Sequence, residues 1–255
     1  MKIGDYQLGY GRRPMIVAEL GASHNGNLDT ALALIVAAKA AGADSIKVQA
    51  FLPDSITRNF DRPEFVIEKG PWQGRHLHGL YVQAHMPRAW FAPLFACAYN
   101  LDIPIFASVF SEEDVEFMEE FDPAAYKLSS FELVDTGLSK AAQMKRRPLI
   151  LSTGMANQAE INDAMRVTAS SPCIWLHCVS SYPTHMEKAN LGWMEVLRRN
   201  QTFVGLSDHT LGFEVAQMAT ARGACLIEKH ITLTPGGEGL DDGFASGPED
   251  FAAFV

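Results

Sequence analysis

Eight short apolar runs divide the chain, and polar side chains stand at or just beyond the end of each run. The runs occupy positions 15–20, 44–50, 103–108, 125–130, 148–153, 173–178, 202–207 and 225–230. We interpret them as strands. The side chains at their ends are Glu19, Lys47, Gln49, Ser108, Lys127, Ser130, Ser152, His177, Asp208, His209, Glu228 and His230.

Segments with helical spacing separate these runs. The segment 28–44 is rich in Ala and Leu, and Gly42 stands where its helix should end. Ser111 and Asn157 each precede an acidic residue three positions on, which is typical of helix starts. Helical spacing recurs over 87–100, 187–200 and 212–224. Eight strand–helix repeats predict an α/β fold, a (β/α)8 TIM barrel, whose strands all end at the catalytic face.

The length of 255 residues matches one such barrel of about 250 residues as a single catalytic domain. Residues 1–13 contain two Gly-containing turns and predict a small N-terminal hairpin that closes the bottom of the barrel. Residues 51–86 form a long insertion after the second strand, expected at the catalytic face as a lid or an oligomer contact. The eighth helix begins at Pro248 and reaches Val255 after about two turns, so we expect a truncated last helix.

Composition and charge exclude several classes of function. The net charge of −9 provides no basic field for nucleic acid, so an anionic substrate requires a local site. We find neither a signal peptide nor a run of about 18 apolar residues that could span a membrane. The cysteines lack metal-binding spacing and are interpreted as reduced thiols of a cytoplasmic protein. They are Cys97, Cys173, Cys178 and Cys225.

Two histidines stand at neighbouring strand ends. His209 follows the seventh run and His230 ends the eighth, so the barrel brings both imidazoles to one corner of the site. With nearby carboxylates they suit a divalent cation such as Mn, Mg, Zn or Fe that keeps positions open for substrate and water. A single histidine is more often a core residue, but two at adjacent ends favour a metal site.

Two lysines lie at strand ends among serine hydroxyls. Lys47 and Lys127 could hold phosphate or carboxylate oxygens, and burial could instead make either one a Schiff-base nucleophile. The hydroxyl donors that would complete an anion cradle are Ser108, Ser130, Ser152 and Ser180. Alternatively, the lysines extend from the barrel rim and the serines only cap helices.

Carboxylates are expected at the same face. Glu19 ends the first strand, Glu132 follows the fourth, and Asp241 lies in the Gly-rich last loop. Beside a metal site they could orient water, hold sugar hydroxyls or move protons. The alternative is ion pairing with the lysines, which involves no chemistry.

Several segments, in order, resemble those of the sialic acid synthases. They are AELGASHNG (18–26), IKVQAF (46–51), YKLSSFE (126–132), ILSTGMANQAEI (150–161), LHCVSSYPT (176–184), GLSDHTLGFEV (205–215) and IEKHITL (227–233). Segments 70–95, 129–135 and 239–251 are most similar to the pseudaminic acid synthase branch. This resemblance implies condensation of phosphoenolpyruvate with the open-chain aldehyde of 2,4-diacetamido-2,4,6-trideoxy-L-altrose. Synthesis of N-acetylneuraminate or legionaminate is the alternative.

The resemblance also implies a role for each candidate residue. The phosphate and carboxylate of phosphoenolpyruvate would be held by Lys47, Ser108, Lys127, Ser130, Ser152 and Ser180. The acceptor sugar would be contacted by Gln49, Glu132, Tyr182 and Asp241. His209 and His230 would bind Mn or Mg, which polarises the aldehyde oxygen. The catalytic set would be Glu19, Lys47, Lys127, Glu228, His230 and Asp241, with Glu19 and the nearby Glu228 positioning the water that adds at carbon 2.

Members of that family usually continue into a C-terminal antifreeze-like domain, which reaches over the partner's sugar site in a homodimer. Residues 1–255 contain nothing that corresponds to it, so we expect a homodimer in which this sugar-capping domain is absent. Two other classes of function stay open. One is a Schiff-base aldolase or lyase that uses Lys127 or Lys47, and the other is a barrel that binds phosphoenolpyruvate or sugar without turnover.

Overall fold

The computed structural model describes all residues from Met1 to Val255 and shows a closed barrel of eight parallel strands. Two short antiparallel strands, β1 (Lys2–Ile3) and β2 (Tyr6–Gln7), precede it. The barrel strands are β3 (Met15–Glu19), β4 (Ser45–Ala50), β5 (Ile105–Val109), β6 (Tyr126–Leu128), β7 (Leu149–Ser152), β8 (Cys173–Cys178), β9 (Val204–Asp208) and β10 (Leu226–His230). Each strand pairs with the next one, and β10 closes the barrel on β3, so the predicted fold is confirmed.

Helices follow the strands around the barrel. They are α1 (Leu28–Ala40), α2 (Pro53–Ile56), α3 (Leu77–Ala84), α4 (Phe91–Asn100), α5 (Glu112–Met118), α6 (Thr136–Met144), α7 (Gln158–Val167), α8 (Trp193–Arg198), α9 (Glu214–Ala221) and α10 (Pro248–Phe254). Short 3-10 turns cover Pro63–Phe65, Arg88–Trp90, Glu119–Phe121, Glu132–Val134 and Met186–Lys188.

The helix ends show which sequence signals were reliable. Asn157 caps α7 in a capping box with Glu160, and Gly42 follows α1 with a φ of +91°, a conformation that favours glycine. The helical spacing over 187–200 predicted too long a helix. Only Trp193–Arg198 is α-helical there, because Asn190, with a φ of +46°, turns the chain out of helical geometry just before it.

Apolar side chains pack on both faces of the barrel wall. In β3 the alternate residues Ile16 and Ala18 belong to the large cluster between strands and helices. Met15 and Val17 belong to a smaller cluster that also contains Ile3 and Leu8 of the hairpin segment. This segment therefore packs against the N-terminal end of the barrel, and the polar side chains are left to the opposite end.

The insertion between β4 and α4 lies over that opposite end. It contains α2 and α3, and two hydrogen bonds attach it to neighbouring loops. His24 Nε2 lies 3.1 Å from the carbonyl oxygen of Ala84, and Trp72 Nε1 donates to the carbonyl oxygen of Leu240 at 3.0 Å. None of the helices combines the length and apolar character that crossing a membrane requires.

Candidate active site

A cavity of about 450 Å³ opens at the C-terminal ends of the barrel strands. The predicted site residues that line it are Lys47, Gln49, Lys127, Ser130, Glu132, Ser152, Ser180, Tyr182, His209, Glu228, His230 and Asp241. Glu19 and Ser108 are buried but are not part of the lining. Strand register explains their proximity to it, because Glu19 pairs with Lys47 and Ser108 pairs with Lys127 across neighbouring strands.

Lys47 is held between two carboxylates. Its Nζ lies 2.8 Å from Glu228 Oε1 and 3.3 Å from Glu19 Oε2, and all three side chains are buried. Burial by itself would lower the pKa of Lys47, but the two carboxylates outweigh it and raise that pKa. Lys47 therefore stays protonated, which disfavours it as a Schiff-base nucleophile. The ion pairing that the sequence left open for Glu19 is present.

The two carboxylates are oriented by further hydrogen bonds. Glu19 Oε1 accepts from Gln49 Nε2 at 2.6 Å and from the backbone N–H of Gly21 at 3.1 Å. Glu228 Oε1 accepts from the hydroxyl of Ser207 at 2.9 Å. Burial opposes ionisation of Glu228, but Lys127 and Lys47 hold its pKa well below the ordinary range. Glu228 Oε2 accepts no hydrogen bond and keeps capacity for water or a ligand, whereas Glu19 Oε2 is engaged by the Lys47 ammonium at 3.3 Å.

Lys127 has no carboxylate partner. It is 2% exposed, and its Nζ donates only to the carbonyl oxygen of Leu128, at 3.3 Å. Burial lowers the pKa of Lys127, Lys47 lowers it further, and Glu228 partly opposes both effects. An ammonium group in this position gains strongly from an anion in the cavity, because nothing else neutralises it at contact distance.

Serine hydroxyls line the cavity with Lys127. Ser152 Oγ is buried without a hydrogen-bond partner, and so is Ser108 Oγ behind the lining. Ser130 Oγ accepts from the backbone N–H of Gly154 at 3.1 Å and lies 3.0 Å from Cys178 Sγ. A buried hydroxyl without a partner costs about 1–3 kcal/mol, so these groups favour a ligand with several acceptor oxygens.

The two histidines face each other, with ring centroids 5.7 Å apart. His209 Nδ1 lies 2.9 Å from the carbonyl oxygen of Val179 and must carry the proton of that bond, so Nε2 has the lone pair. Ser207 Oγ lies 3.5 Å from Nε2 but donates its one proton to Glu228 Oε1, which leaves the Nε2 lone pair free. Burial, and then His230, lower the pKa of His209 to about 4, so its imidazole is neutral at pH 7. His230 Nδ1 lies 3.2 Å from Asp241 Oδ2 without hydrogen-bond geometry.

These donors fit a metal ion only as a pair of imidazoles. No group of three or more His, Cys, Asp or Glu side chains has metal-binding spacing. A neutral His209 with a free Nε2, fixed through its Nδ1, has the arrangement common among histidine ligands. Substrate and water would have to fill the remaining coordination positions of the ion, as in an open catalytic metal site.

The remaining polar lining lies beside the histidines and Lys127. The Tyr182 ring contacts His209 at a centroid distance of 4.2 Å, and burial raises the pKa of its phenol, which remains a hydrogen-bond donor. Asp241 Oδ2 accepts from the backbone N–H of Ala22 at 2.8 Å. Burial raises the pKa of Glu132, although Lys127 opposes that effect, and its Oε2 has no partner.

An apolar wall completes the cavity, and sequence reasoning missed it. The insertion and neighbouring loops contribute Phe51, Ile56, Trp72, Leu77, Leu80, Tyr81, Phe110, Phe131 and Phe244. Trp72 also packs against Tyr182 and Phe244, at centroid distances of 5.8 and 6.2 Å. The position of the insertion after a strand end indicated the catalytic face, but its irregular sequence had no periodicity to show which side chains point inward.

Besides Glu19 and Ser108, two more strand-end residues do not line the cavity. His177 Nε2 lies 2.7 Å from the carbonyl oxygen of Ala189, and Asp208 forms a buried ion pair with Lys229 at 2.9 Å. These side chains instead bind a loop carbonyl and a lysine of the neighbouring strand, respectively. Conversely, Ser129 and Ser207 line the cavity and were not among the predicted residues, although both lie inside apolar runs that end at this face.

Similarity to known proteins identifies the family of the chain. Residues 34–255 match the model of the NeuB family. The chain belongs to the NeuB family. It is 40% identical over its full length to pseudaminic acid synthase of Campylobacter jejuni, covering 75% of that protein, and 38% identical to pseudaminic acid synthase of Helicobacter pylori, over 95% of this chain and 72% of that one. These relatives are synthases, and this NeuB family chain is an enzyme.

Solved structures agree with the membership in the NeuB family. A structure of N-acetylneuraminic acid synthetase from Leptospira borgpetersenii matches with a TM-score of 0.89 and 30% identity, covering 100% of this chain and 85% of that one. The Thermotoga maritima 3-deoxy-D-arabino-heptulosonate 7-phosphate synthase matches with a TM-score of 0.74 at 13% identity, covering 100% of this chain and 88% of that one, which shows the shared fold alone.

Proposed function

We propose that this NeuB family enzyme condenses phosphoenolpyruvate with the open-chain aldehyde of an amino sugar, giving a nonulosonic acid and phosphate. The observation that carries the proposal is that Lys127, a buried ammonium without a carboxylate partner, shares one cavity with the pair His209 and His230. The first feature supports binding of a multiply charged anion, and the second supports polarisation of a carbonyl. The names of the relatives support the same class of reaction.

The anion end of the cavity suits phosphoenolpyruvate. Lys127 would neutralise its phosphate or carboxylate, and the hydroxyls of Ser130, Ser152 and Ser180 would donate to their oxygens. Ser108 has a free hydroxyl behind them. Lys47 lines the same cavity and adds a second cation, which it already shares with Glu19 and Glu228.

We further propose that His209 and His230 hold Mn or Mg. The neutral imidazole of His209 and its free Nε2 fit this role. A cation bound there would supply Lewis-acid polarisation of the aldehyde oxygen. The tyrosine and carboxylate beside the pair, Tyr182 and Asp241, would hold the acceptor sugar together with Gln49 and Glu132.

The proposed reaction forms one carbon–carbon bond and breaks one carbon–oxygen bond. Carbon 3 of phosphoenolpyruvate attacks the aldehyde carbon, the aldehyde oxygen takes a proton, and water adds to the cation left at carbon 2. Phosphate then leaves with the bridging oxygen. The Oε2 atom of Glu228, which accepts no hydrogen bond, supports its role in positioning that water and accepting its proton, and Glu19 lies on the other side of Lys47 as the second carboxylate of the pair.

The acceptor that we propose is 2,4-diacetamido-2,4,6-trideoxy-L-altrose, which gives pseudaminic acid. Support comes from identities of 40% and 38% to pseudaminic acid synthases, against 32% to the Legionella pneumophila N,N'-diacetyllegionaminic acid synthase. The apolar wall of the insertion also suits a deoxy sugar with methyl-bearing substituents. We place the reaction in the cytoplasm, where the four free cysteines stay reduced, and propose a homodimer on the family resemblance.

The test is phosphate release from phosphoenolpyruvate with Mn, with the diacetamido-trideoxy-altrose and N-acetylmannosamine offered in parallel. We expect release only when a sugar is present, and faster release with the first sugar. Faster release with N-acetylmannosamine would overturn the substrate assignment but not the reaction. Folded protein that binds phosphoenolpyruvate and releases no phosphate with either sugar would contradict the reaction. Borohydride trapping of a pyruvate adduct on Lys127 would indicate a Schiff-base enzyme instead.

A further inference from the structure

Cys178 lies at the anion end of the cavity and has no place in the reaction described above. It ends β8, is 3% exposed and lines the cavity together with Lys127. Its Sγ lies 3.0 Å from Ser130 Oγ and 3.8 Å from Ser180 Oγ. The thiol therefore contacts two of the serines to which we assign binding of phosphoenolpyruvate.

The hydrogen bonds of Ser130 show what the thiol can do. A hydroxyl has one proton to donate and two lone pairs that accept. One lone pair of Ser130 Oγ already accepts from the backbone N–H of Gly154 at 3.1 Å. When the thiol of Cys178 donates to the other lone pair, the hydroxyl proton must point away from both donors. An anion in the cavity is then its best acceptor, because charge-assisted hydrogen bonds are roughly twice as strong as neutral ones.

The close packing around Gly154 keeps these groups together. A Cβ atom at this glycine would lie 2.5 Å from Cys178 Sγ and 2.8 Å from Ser180 Oγ, closer than any side chain tolerates. The backbone therefore approaches the thiol and the hydroxyls directly. It also places the amide that donates to Ser130 next to the thiol.

We propose that Cys178 is a positioning residue for phosphoenolpyruvate. Its thiol donates to Ser130 Oγ and thereby directs the Ser130 hydroxyl proton at the bound anion. This inference rests on the proposed function, since Ser130 needs an anionic substrate to donate to. The proposed role is hydrogen bonding alone and involves no covalent or redox step.

Three variants test the inference. Cys178→Ala removes the donor, Cys178→Ser restores one, and Cys173→Ala is a matched control on the same strand, outside the cavity lining. The readouts are the Kd of phosphoenolpyruvate by calorimetry without sugar, and the KM values for both substrates. We expect Cys178→Ala to raise the Kd and KM for phosphoenolpyruvate about threefold to tenfold, as loss of a modest hydrogen bond would, with the sugar KM unchanged. Cys178→Ser should recover most of the loss, and Cys173→Ala should match the wild type.

A double-mutant cycle with Ser130→Ala separates positioning from packing. Once the Ser130 hydroxyl is gone, Cys178→Ala should not weaken phosphoenolpyruvate binding further. Additive effects, or a serine variant that binds no better than the alanine variant, would overturn the positioning role. So would an unchanged Kd in Cys178→Ala, while the proposed function would stand. A wild-type protein that does not bind phosphoenolpyruvate would overturn the proposed function itself.

Discussion

Among the buried lysines, the presence or absence of a carboxylate partner separates Lys127 from the others. Lys47 contacts two carboxylates, and Lys229 contacts Asp208 at 2.9 Å. The nearest acceptor of Lys127 is a carbonyl oxygen at 3.3 Å. Burying a charge without a partner is costly, and stability alone does not explain such a group. Its place in the cavity makes it the most informative residue for ligand binding.

Replacing Lys127 with Met should separate binding from stability. We expect Lys127→Met to weaken phosphoenolpyruvate binding by about 10- to 100-fold, because a charge-assisted contact is lost. The free energy of unfolding should stay the same or rise, because an unpaired buried charge is removed. Calorimetry and urea denaturation measure the two quantities. Unchanged affinity in a folded variant would count against the anion site.

The lowered pKa of Lys127 predicts a pH effect on binding. Burial lowers this pKa below its ordinary value of 10.5, so the free enzyme loses the ammonium charge at a lower pH than an exposed lysine would. Because the anion binds the protonated form, the affinity for phosphoenolpyruvate should be highest near neutral pH and fall as pH rises towards that pKa. Calorimetric titrations between about pH 7 and 10 measure this fall. Lys127→Arg should flatten the profile, and a flat wild-type profile would refute the assignment.

The two histidines should be individually indispensable for metal-dependent turnover. His209→Ala or His230→Ala leaves a single imidazole, which is too few protein ligands for an open catalytic site. We expect each variant to lose at least about 100-fold in kcat with Mn, the loss expected when Lewis-acid polarisation disappears. Steady-state phosphate release measures this loss. Wild-type rates in either variant would contradict the assignment of these two histidines as metal ligands.

At the scale of elements, the strand register forms the polar part of the cavity and the insertion forms its apolar part. Register places Glu19 beside Lys47 and Ser108 beside Lys127. These strand ends form the polar floor of the cavity. The insertion contributes an apolar wall that is attached through Trp72, whose Nε1 donates to the carbonyl oxygen of Leu240. The floor therefore suits the anion, and the wall suits the acceptor sugar.

A conservative change at Trp72 tests this division. Trp72→Phe keeps an aromatic ring against Tyr182 and removes the hydrogen bond to Leu240. We expect a KM for the acceptor sugar raised about threefold to tenfold, because a hydrogen bond that fixes the wall is lost, and an unchanged Kd for phosphoenolpyruvate. Initial-rate kinetics with either substrate varied provide the comparison. An increase in the Kd or KM for phosphoenolpyruvate, with the sugar KM unchanged, would contradict this separation of the anion site from the sugar wall.

For the molecule as a whole, the sequence was sufficient for the barrel. Eight alternating strand and helix segments favour a closed barrel, and twelve of the fourteen predicted site residues line its cavity. Most of these residues stand at strand ends, while Tyr182 was indicated only by the family resemblance. The sequence could not distinguish Lys47 from Lys127, since both lie in similar strands. Which lysine meets a carboxylate depends on the stagger between strands, and the inward side chains of the insertion depend on tertiary packing.

The two ends of the barrel differ in polarity. Hairpin-segment residues such as Ile3 pack with an apolar cluster at one end, and the charged groups gather at the other. With a net charge of −9, the protein attracts an anionic substrate only through this local site.

The most direct measurement is mass spectrometry of both products formed from phosphoenolpyruvate labelled with ¹⁸O in the bridging oxygen, with Mn and the diacetamido-trideoxy-altrose present. We predict that the label leaves in phosphate and that the other product has the mass of the sugar plus pyruvic acid. Unlabelled phosphate would contradict carbon–oxygen cleavage. Free pyruvate with the sugar unconsumed would contradict the condensation itself.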